Sequence, residues 1–183
     1  GDQGEPSTTT TPPDLVELQA HYDLPDEAGY PEGVTFHAAT RAFYMGSLEH
    51  GSIQRLTPDG TLTRTFEPEA GWTSLGLKTH PDTGDVLVCA VRDPSTPEAI
   101  SELWVHTPST DATVRIPLKG NPANCNDLVA VGNDVYLSDR EAAQIHRVNL
   151  SAETSEIWRT DPELTPGIIG NNGLELTQDG SAL

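Results

Sequence analysis

Gly33-Val-Thr-Phe-His37 returns in altered form as Gly76-Leu-Lys-Thr-His80, Asp127-Leu-Val-Ala-Val131 and Gly173-Leu-Glu-Leu-Thr177. The starts lie 43, 51 and 46 residues apart. Each short run leads into a turn: Ala38-Ala-Thr-Arg41, Pro81-Asp-Thr-Gly84, Gly132-Asn133 and Gln178-Asp-Gly180. A more apolar run follows in three units, at Phe43-Tyr-Met45, Val86-Leu-Val88 and Val135-Tyr-Leu137. Continuous apolar character over so few residues marks a strand buried on both faces. Third runs at Ile53–Leu56, Leu103–Val105 and Ile145–Val148 return to alternation, and fourth segments at Thr61–Phe66, Ala112–Ile116 and Thr154–Trp158 close each unit.

Four antiparallel strands recurring every 40-odd residues are the mark of propeller blades. The chain is therefore read as all-β: three blades over about 30–70, 71–119 and 120–166, with a fourth beginning at 167–183. No window carries apolar residues at helical spacing over three turns, and Gly or Pro interrupts nearly every candidate. A ring needs four to eight blades, so the leading expectation is the N-terminal half of a larger propeller, and a small novel β-fold is the alternative. Residues 14–29 contain Leu15–Leu24, read as a lone strand of the kind that completes a last blade. Residues 1–13, with four consecutive Thr and three Pro, are read as a disordered tether. A start without Met fits either trimming of the chain or an exported protein, periplasmic, cell-surface or extracellular, with a lipid anchor upstream of Gly1.

The 183 residues carry 28 Asp and Glu against 10 Lys and Arg, a formal charge of −18. Such a surface repels phosphate backbones and anionic lipid, which argues against nucleic acid as a partner, and it attracts divalent cations. No stretch reaches the ~18 apolar residues of a membrane span. Cys89 and Cys125 lack the spacing of a zinc site. One disulfide and two buried thiols both remain open from the count alone.

In a propeller the inner strand of each blade lines the central channel. The rim positions just before the aligned starts are Glu32, Leu75, Asn126 and Asn172. Three of the four offer the hard oxygen donors that Ca²⁺ selects; each taken alone reads as a turn-capping residue. The loops between second and third strands open on the same rim: Ser47–Gly51, Arg92–Glu98 and Ser138–Glu141. Trp72 and Arg92 stand there as candidate substrate contacts, and His50 as a weak candidate general base. His37 and His80 fall at the opposite rim.

Tyr30-Pro-Glu-Gly-Val34, Gly51-Ser-Ile-Gln-Arg55, Cys125-Asn-Asp127 and Asn172-Gly173 together resemble the senescence-marker-protein/gluconolactonase-like six-bladed propellers, relatives of calcium-dependent phosphotriesterases and lactonases. The resemblance covers residues 30–183. It implies a catalytic Ca²⁺ held by Glu32, Asn126 and Asn172, with a further Asp ligand from a later blade that has no counterpart here. It also implies substrate contact near Asn124 and a weak catalytic candidate in Asp127. The gluconolactonase branch carries Arg two positions before the Asn of its Asn-Asp-Gly motif; Asn124 and Leu128 occupy the departing positions. The expected function is a Ca²⁺-dependent hydrolase of lactones or related esters acting on a small molecule. The alternative is a non-catalytic secreted or lipid-anchored propeller, in which the ion is structural and the rim binds a ligand or protein.

Overall fold

A computed structural model describes residues 18–120, 124–164 and 170–180. Twelve strands form three separate four-stranded antiparallel sheets, each with its strands in sequence order. Blade 1 comprises β1 (Pro31–His37), β2 (Ala42–Ser47), β3 (Ile53–Leu56) and β4 (Leu62–Phe66). Blade 2 comprises β5 (Trp72–Thr79), β6 (Val86–Arg92), β7 (Ile100–Thr107) and β8 (Ala112–Pro117). Blade 3 comprises β9 (Cys125–Val131), β10 (Asp134–Asp139), β11 (Gln144–Asn149) and β12 (Thr154–Thr160). Helical geometry among the described residues is limited to single 3-10 turns at Asp26–Ala28 and Pro162–Leu164. The chain is all-β with propeller-type blades, and the three sheets form an open series rather than a closed ring.

Neighbouring sheets touch most densely along their inner strands, β1 against β5 and β5 against β9, and only thinly between β8 and β12. The blades therefore fan outward from a shared inner edge. Strand β6 shows how the sequence achieves this: all but its last residue are buried. Val86, Val88 and Ala90 join the core facing blade 1, while Leu87, Cys89 and Val91 join the core facing blade 3. The two-residue period of a strand sends successive side chains to opposite faces, so an unbroken apolar run is what a blade covered on both sides requires.

Cys89 and Cys125 form a disulfide with Cα atoms 6.0 Å apart, linking β6 to the first residue of β9. The outer faces of blades 1 and 3 are exposed in part: on blade 1, Met45, Gln54 and Leu56 are buried under the segment that carries Tyr22 and Ala28, and exposure is concentrated on β1. Val34 is 61% exposed on the one, and Trp158 is 44% exposed on the other.

Two expectations change. Residues 1–13 and the start of the strand placed at 14–29 lie outside the described residues. Over 18–25 the chain forms no strand. It instead runs along blade 1, from the β3–β4 turn, where Gln19 Nε2 and Tyr22 Oη donate to the Pro58 carbonyl, to the opposite end, where Gln54 donates to the Ala28 carbonyl. A strand exists only through pairing, and this segment pairs with none of the described strands. Likewise Gly173–Thr177 is not assigned to a sheet, although it is anchored to blade 3 by hydrogen bonds described below.

Candidate functional site at the inner-strand rim

All three inner strands break register at one place in the repeat. The irregularity falls between Glu32 and Val34 in β1, between Ser74 and Leu77 in β5, and opposite Leu137–Asp139 in β9. Bulges add an unpaired residue, turn the strand and re-aim its side chains. Here they fall on the rim positions themselves.

The glycines of the repeat explain the spacing. A Cβ on Gly33, whose φ is +67°, would overlap the Leu75 carbonyl oxygen, and one on Gly76 would lie 2.6 Å from the Asn126 oxygen and 2.8 Å from Asp127 Oδ1. Inner strands thus meet backbone to backbone, which only glycine permits. Asp127 occupies the aligned position in blade 3. Its Oδ1 lies against Gly76, and its Oδ2 accepts the amide hydrogen of Leu174 at 3.0 Å. Asp127 therefore tethers the fourth unit to the third.

Serines complete the ties between units. The Ser47 amide donates to Ser74 Oγ at 2.7 Å across the seam of blades 1 and 2. Ser138 Oγ accepts the Asp127 amide at 3.1 Å and donates to the Asn172 carbonyl at 3.0 Å. These bonds set the backbone of Asn172 beside that of Asp127.

Glu32 is half-buried, and its pKa is raised, first by burial and then by the charge of Asp127; Arg140 opposes the shift. Two carboxylates and one guanidinium thus share a field at the rim. Asn126 is buried, Asn172 is exposed, and no hydrogen bond engages the side chains of Glu32, Asn126 or Asn172 among the described residues. No three His, Cys, Asp or Glu side chains among the described residues group closely enough to hold a metal. The donors available at this rim are carboxylate and amide oxygens, which suit a hard cation and not zinc.

Other candidates fall elsewhere. Trp72 is 3% exposed, with its ring against Trp104 and under the Arg115 guanidinium at 4.6 Å. It is core between blades 1 and 2 and has no face to offer a substrate. Asn124 is buried as a strut: Nδ2 donates to Glu141 Oε1 at 2.9 Å and to the Pro94 carbonyl, joining two rim loops. Arg92 is exposed and paired with Asp93 at 3.2 Å. His50 sits partly exposed on its loop, 4.0 Å from Glu49.

Sequence reasoning missed Arg140 and the pair that positions its loop. Asp139 and His146 are fully buried and 3.2 Å apart. Asp139 Oδ1 accepts the amides of Glu141 and Ala142, and Oδ2 accepts that of Asn124. Burial alone would raise the Asp139 carboxyl, but His146 and these amides outweigh it and hold it below the usual range. The available signal was an Asp inside the rim loop Ser138–Glu141 with a His seven residues on. A His in a third strand gives no hint that it reaches back across the sheet.

No protein-family model matches the sequence, and no curated protein matches it. Solved structures do. Virginiamycin B lyase from Staphylococcus aureus, in a catalytically inactive form with quinupristin, aligns with a TM-score of 0.65 at 17% identity, over 78% of this chain and 45% of that one. A gluconolactonase from Xanthomonas campestris aligns at 0.53 and 14% identity, over 73% and 48%. Oligogalacturonate lyase in complex with manganese aligns at 0.53 and 10% identity, over 73% and 39%. This chain spans less than half the length of each. Similarity at such identities establishes the fold, and one fold that serves a lactonase and two lyases leaves the chemistry to the site.

Proposed function

We propose that this chain is part of a Ca²⁺-dependent hydrolase of lactones or related esters, gluconolactonase-like, with its site at the inner-strand rim. The observation that carries the reading is Glu32: a half-buried carboxylate without a hydrogen bond, close enough to Asp127 for the two charges to repel. A cation beside Glu32 would relieve both burial and repulsion. Glu32 would supply the charged ligand, and Asn126 and Asn172 neutral oxygens. A bound Ca²⁺ would polarise the carbonyl oxygen of an ester or lactone. Asp127 keeps the Asn126 and Asn172 backbones in register, and Arg140 limits the negative field on the substrate side. His50, on the Ser47–Gly51 loop, would be a weak candidate for proton transfer. A disulfide at the seam of two blades supports an exported protein, since such bonds persist in oxidising compartments.

The second reading, a binding propeller with a structural ion, draws on Asp127. Its carboxylate already accepts the Leu174 amide, so it serves architecture rather than water activation.

Thermal unfolding in CaCl₂ and in EGTA tests the ion. Ca²⁺ should raise the melting temperature of the parent protein and leave Glu32→Gln unmoved. In EGTA the order should invert. Because the folded-state pKa of Glu32 lies above its ordinary 4.5, the ionised group costs stability above that pKa, and the cost disappears as pH falls below the ordinary value. Glu32→Gln should therefore be the more stable protein at pH 7 and equal to the parent near pH 4. A parent protein indifferent to both Ca²⁺ and chelator removes the ion from the reading. In the full-length protein, stabilisation by Ca²⁺ without turnover of a chromogenic lactone selects the binding propeller.

A further inference from the structure

A cavity of about 480 Å³ opens between blades 2 and 3 at the rim opposite the candidate site. Unlike the outer faces of blades 1 and 3, it has both walls within the described residues. Val105, Val114, Ile116 and Leu150 form an apolar floor. Asp82, Asp85 and Glu153 line it as well, and no Lys or Arg does. We propose that this groove binds a lysine or arginine side chain presented by an extended segment of a partner polypeptide. The proposal is independent of the calcium reading.

The groove is held open rather than collapsed. His80 is buried, and its Nδ1 accepts the amides of Asp82 and Thr83, which leaves Nε2 to donate to the Gly132 carbonyl at 2.8 Å. That strap joins the β5–β6 turn of blade 2 to the β9–β10 turn of blade 3. Asp85 is oriented by the hydroxyls of Thr83 and Thr107, each at 2.7 Å. The side chains of Asp82 and Glu153 make no hydrogen bond or ion pair among the described residues. Val114 is 44% exposed.

The occupant follows from the lining. A wholly apolar group would strip water from three acids without replacing it, at a net cost. A small hydrated cation would gain nothing from the floor. Lysine and arginine carry a methylene stem beneath a cationic head, and such chains lay the stem along apolar surface while the head reaches polar groups. Anionic partners are repelled by the same acids. An extended polypeptide fits better than a free amine because β8, which contributes Val114 and Ile116, is the edge strand of its sheet. Its unpaired backbone groups are available to an added strand.

The test titrates the protein, labelled at Ile, Leu and Val methyls, with the capped peptide acetyl-Val-Lys-Val-Lys-Val-amide and with its Glu counterpart. Only the Lys peptide should bind, shifting the methyls of Val105, Val114, Ile116 and Leu150. Asp82→Asn with Glu153→Gln should weaken binding about fivefold to tenfold, the effect of two exposed ion pairs. Glu98→Gln with Glu163→Gln removes the same charge from exposed positions elsewhere and should change affinity less than about twofold. Val114→Ser should weaken binding through the floor alone and serves if the double variant fails to fold. No binding, unmoved groove methyls, or equal weakening by the remote charge pair would each overturn the proposal; the last would reduce the attraction to net charge.

Discussion

Where blade 1 meets blade 2, the core is aromatic. Tyr44, Trp72 and Trp104 are buried there, Phe66 packs edge-on to Trp104 at 5.1 Å, and Arg115 lies over both indoles. Glu102 accepts from Trp104 Nε1 and Arg115 Nε, each at 2.7 Å, which closes the outer end of the seam with a paired charge. Where blade 2 meets blade 3, the core is aliphatic: leucines, valines, Ile116 and small residues, with the disulfide near the inner edge. The same strand, β6, serves both seams. Blades diverge outward, so the outer part of each seam is a wedge that side chains must fill. Wide rings fill the first wedge. The second is lined near the β5–β6 and β9–β10 turns by the smaller Val105, Val114, Ile116 and Leu150, and the unfilled space there is the acid-lined groove. The difference teaches that one fold can seal a wedge with aromatic volume or leave it open as a binding surface and secure the seam covalently elsewhere.

The comparison breaks first at Trp104. Trp104→Ala should cost about 3–5 kcal/mol, the usual range for truncating a buried aromatic, read as a shift in the denaturant midpoint. A loss below 1 kcal/mol would mean that the rings are not what holds the first seam.

Cys89→Ala with Cys125→Ala comes next. By the chain-entropy argument, closing a loop with a sequence separation of 36 contributes about 4 kcal/mol. Hydrogen exchange sharpens the comparison further. Loss of the cross-link should speed exchange in β9–β12 and leave β1–β4 protected. Equal loosening of blade 1 would show that the two seams unfold together.

Filling the groove should have the smallest effect. Val105→Phe places a ring in the outer wedge of the second seam and should stabilise the protein by about 0.5–1.5 kcal/mol, as cavity-filling changes commonly do. Destabilisation would show that the wedge is too narrow or too wet for aromatic packing.

Much of this was legible in residues alone, for reasons that differ by element. Val86–Val88 announced a strand covered on both faces because apolar continuity has few other meanings at that length. The repeat position Gly33, Gly76, Asp127, Gly173 was visible as an alignment; that its glycines let neighbouring inner strands meet backbone to backbone was not, because close approach between strands 43 residues apart leaves no local trace. Trp72 shows the opposite failure. Its place in the chain suggested a substrate contact at the rim, whereas its ring is buried against Trp104.

By itself the sequence determined the twelve strands of the three blades, their four-strand repeat, the acidic surface and the oxygen-rich rim positions. These follow from period-2 burial, turn chemistry and charge, all of which act within a few residues. The tertiary structure decided the rest: the partner of each cysteine, the buried Asp139–His146 pair behind the Arg140 loop, the tether from Asp127 to Leu174, and the groove between blades 2 and 3. Each of these joins groups that are distant in sequence or on opposite faces of a strand. Their meeting depends on how the sheets fan apart, a geometry that no single repeat encodes.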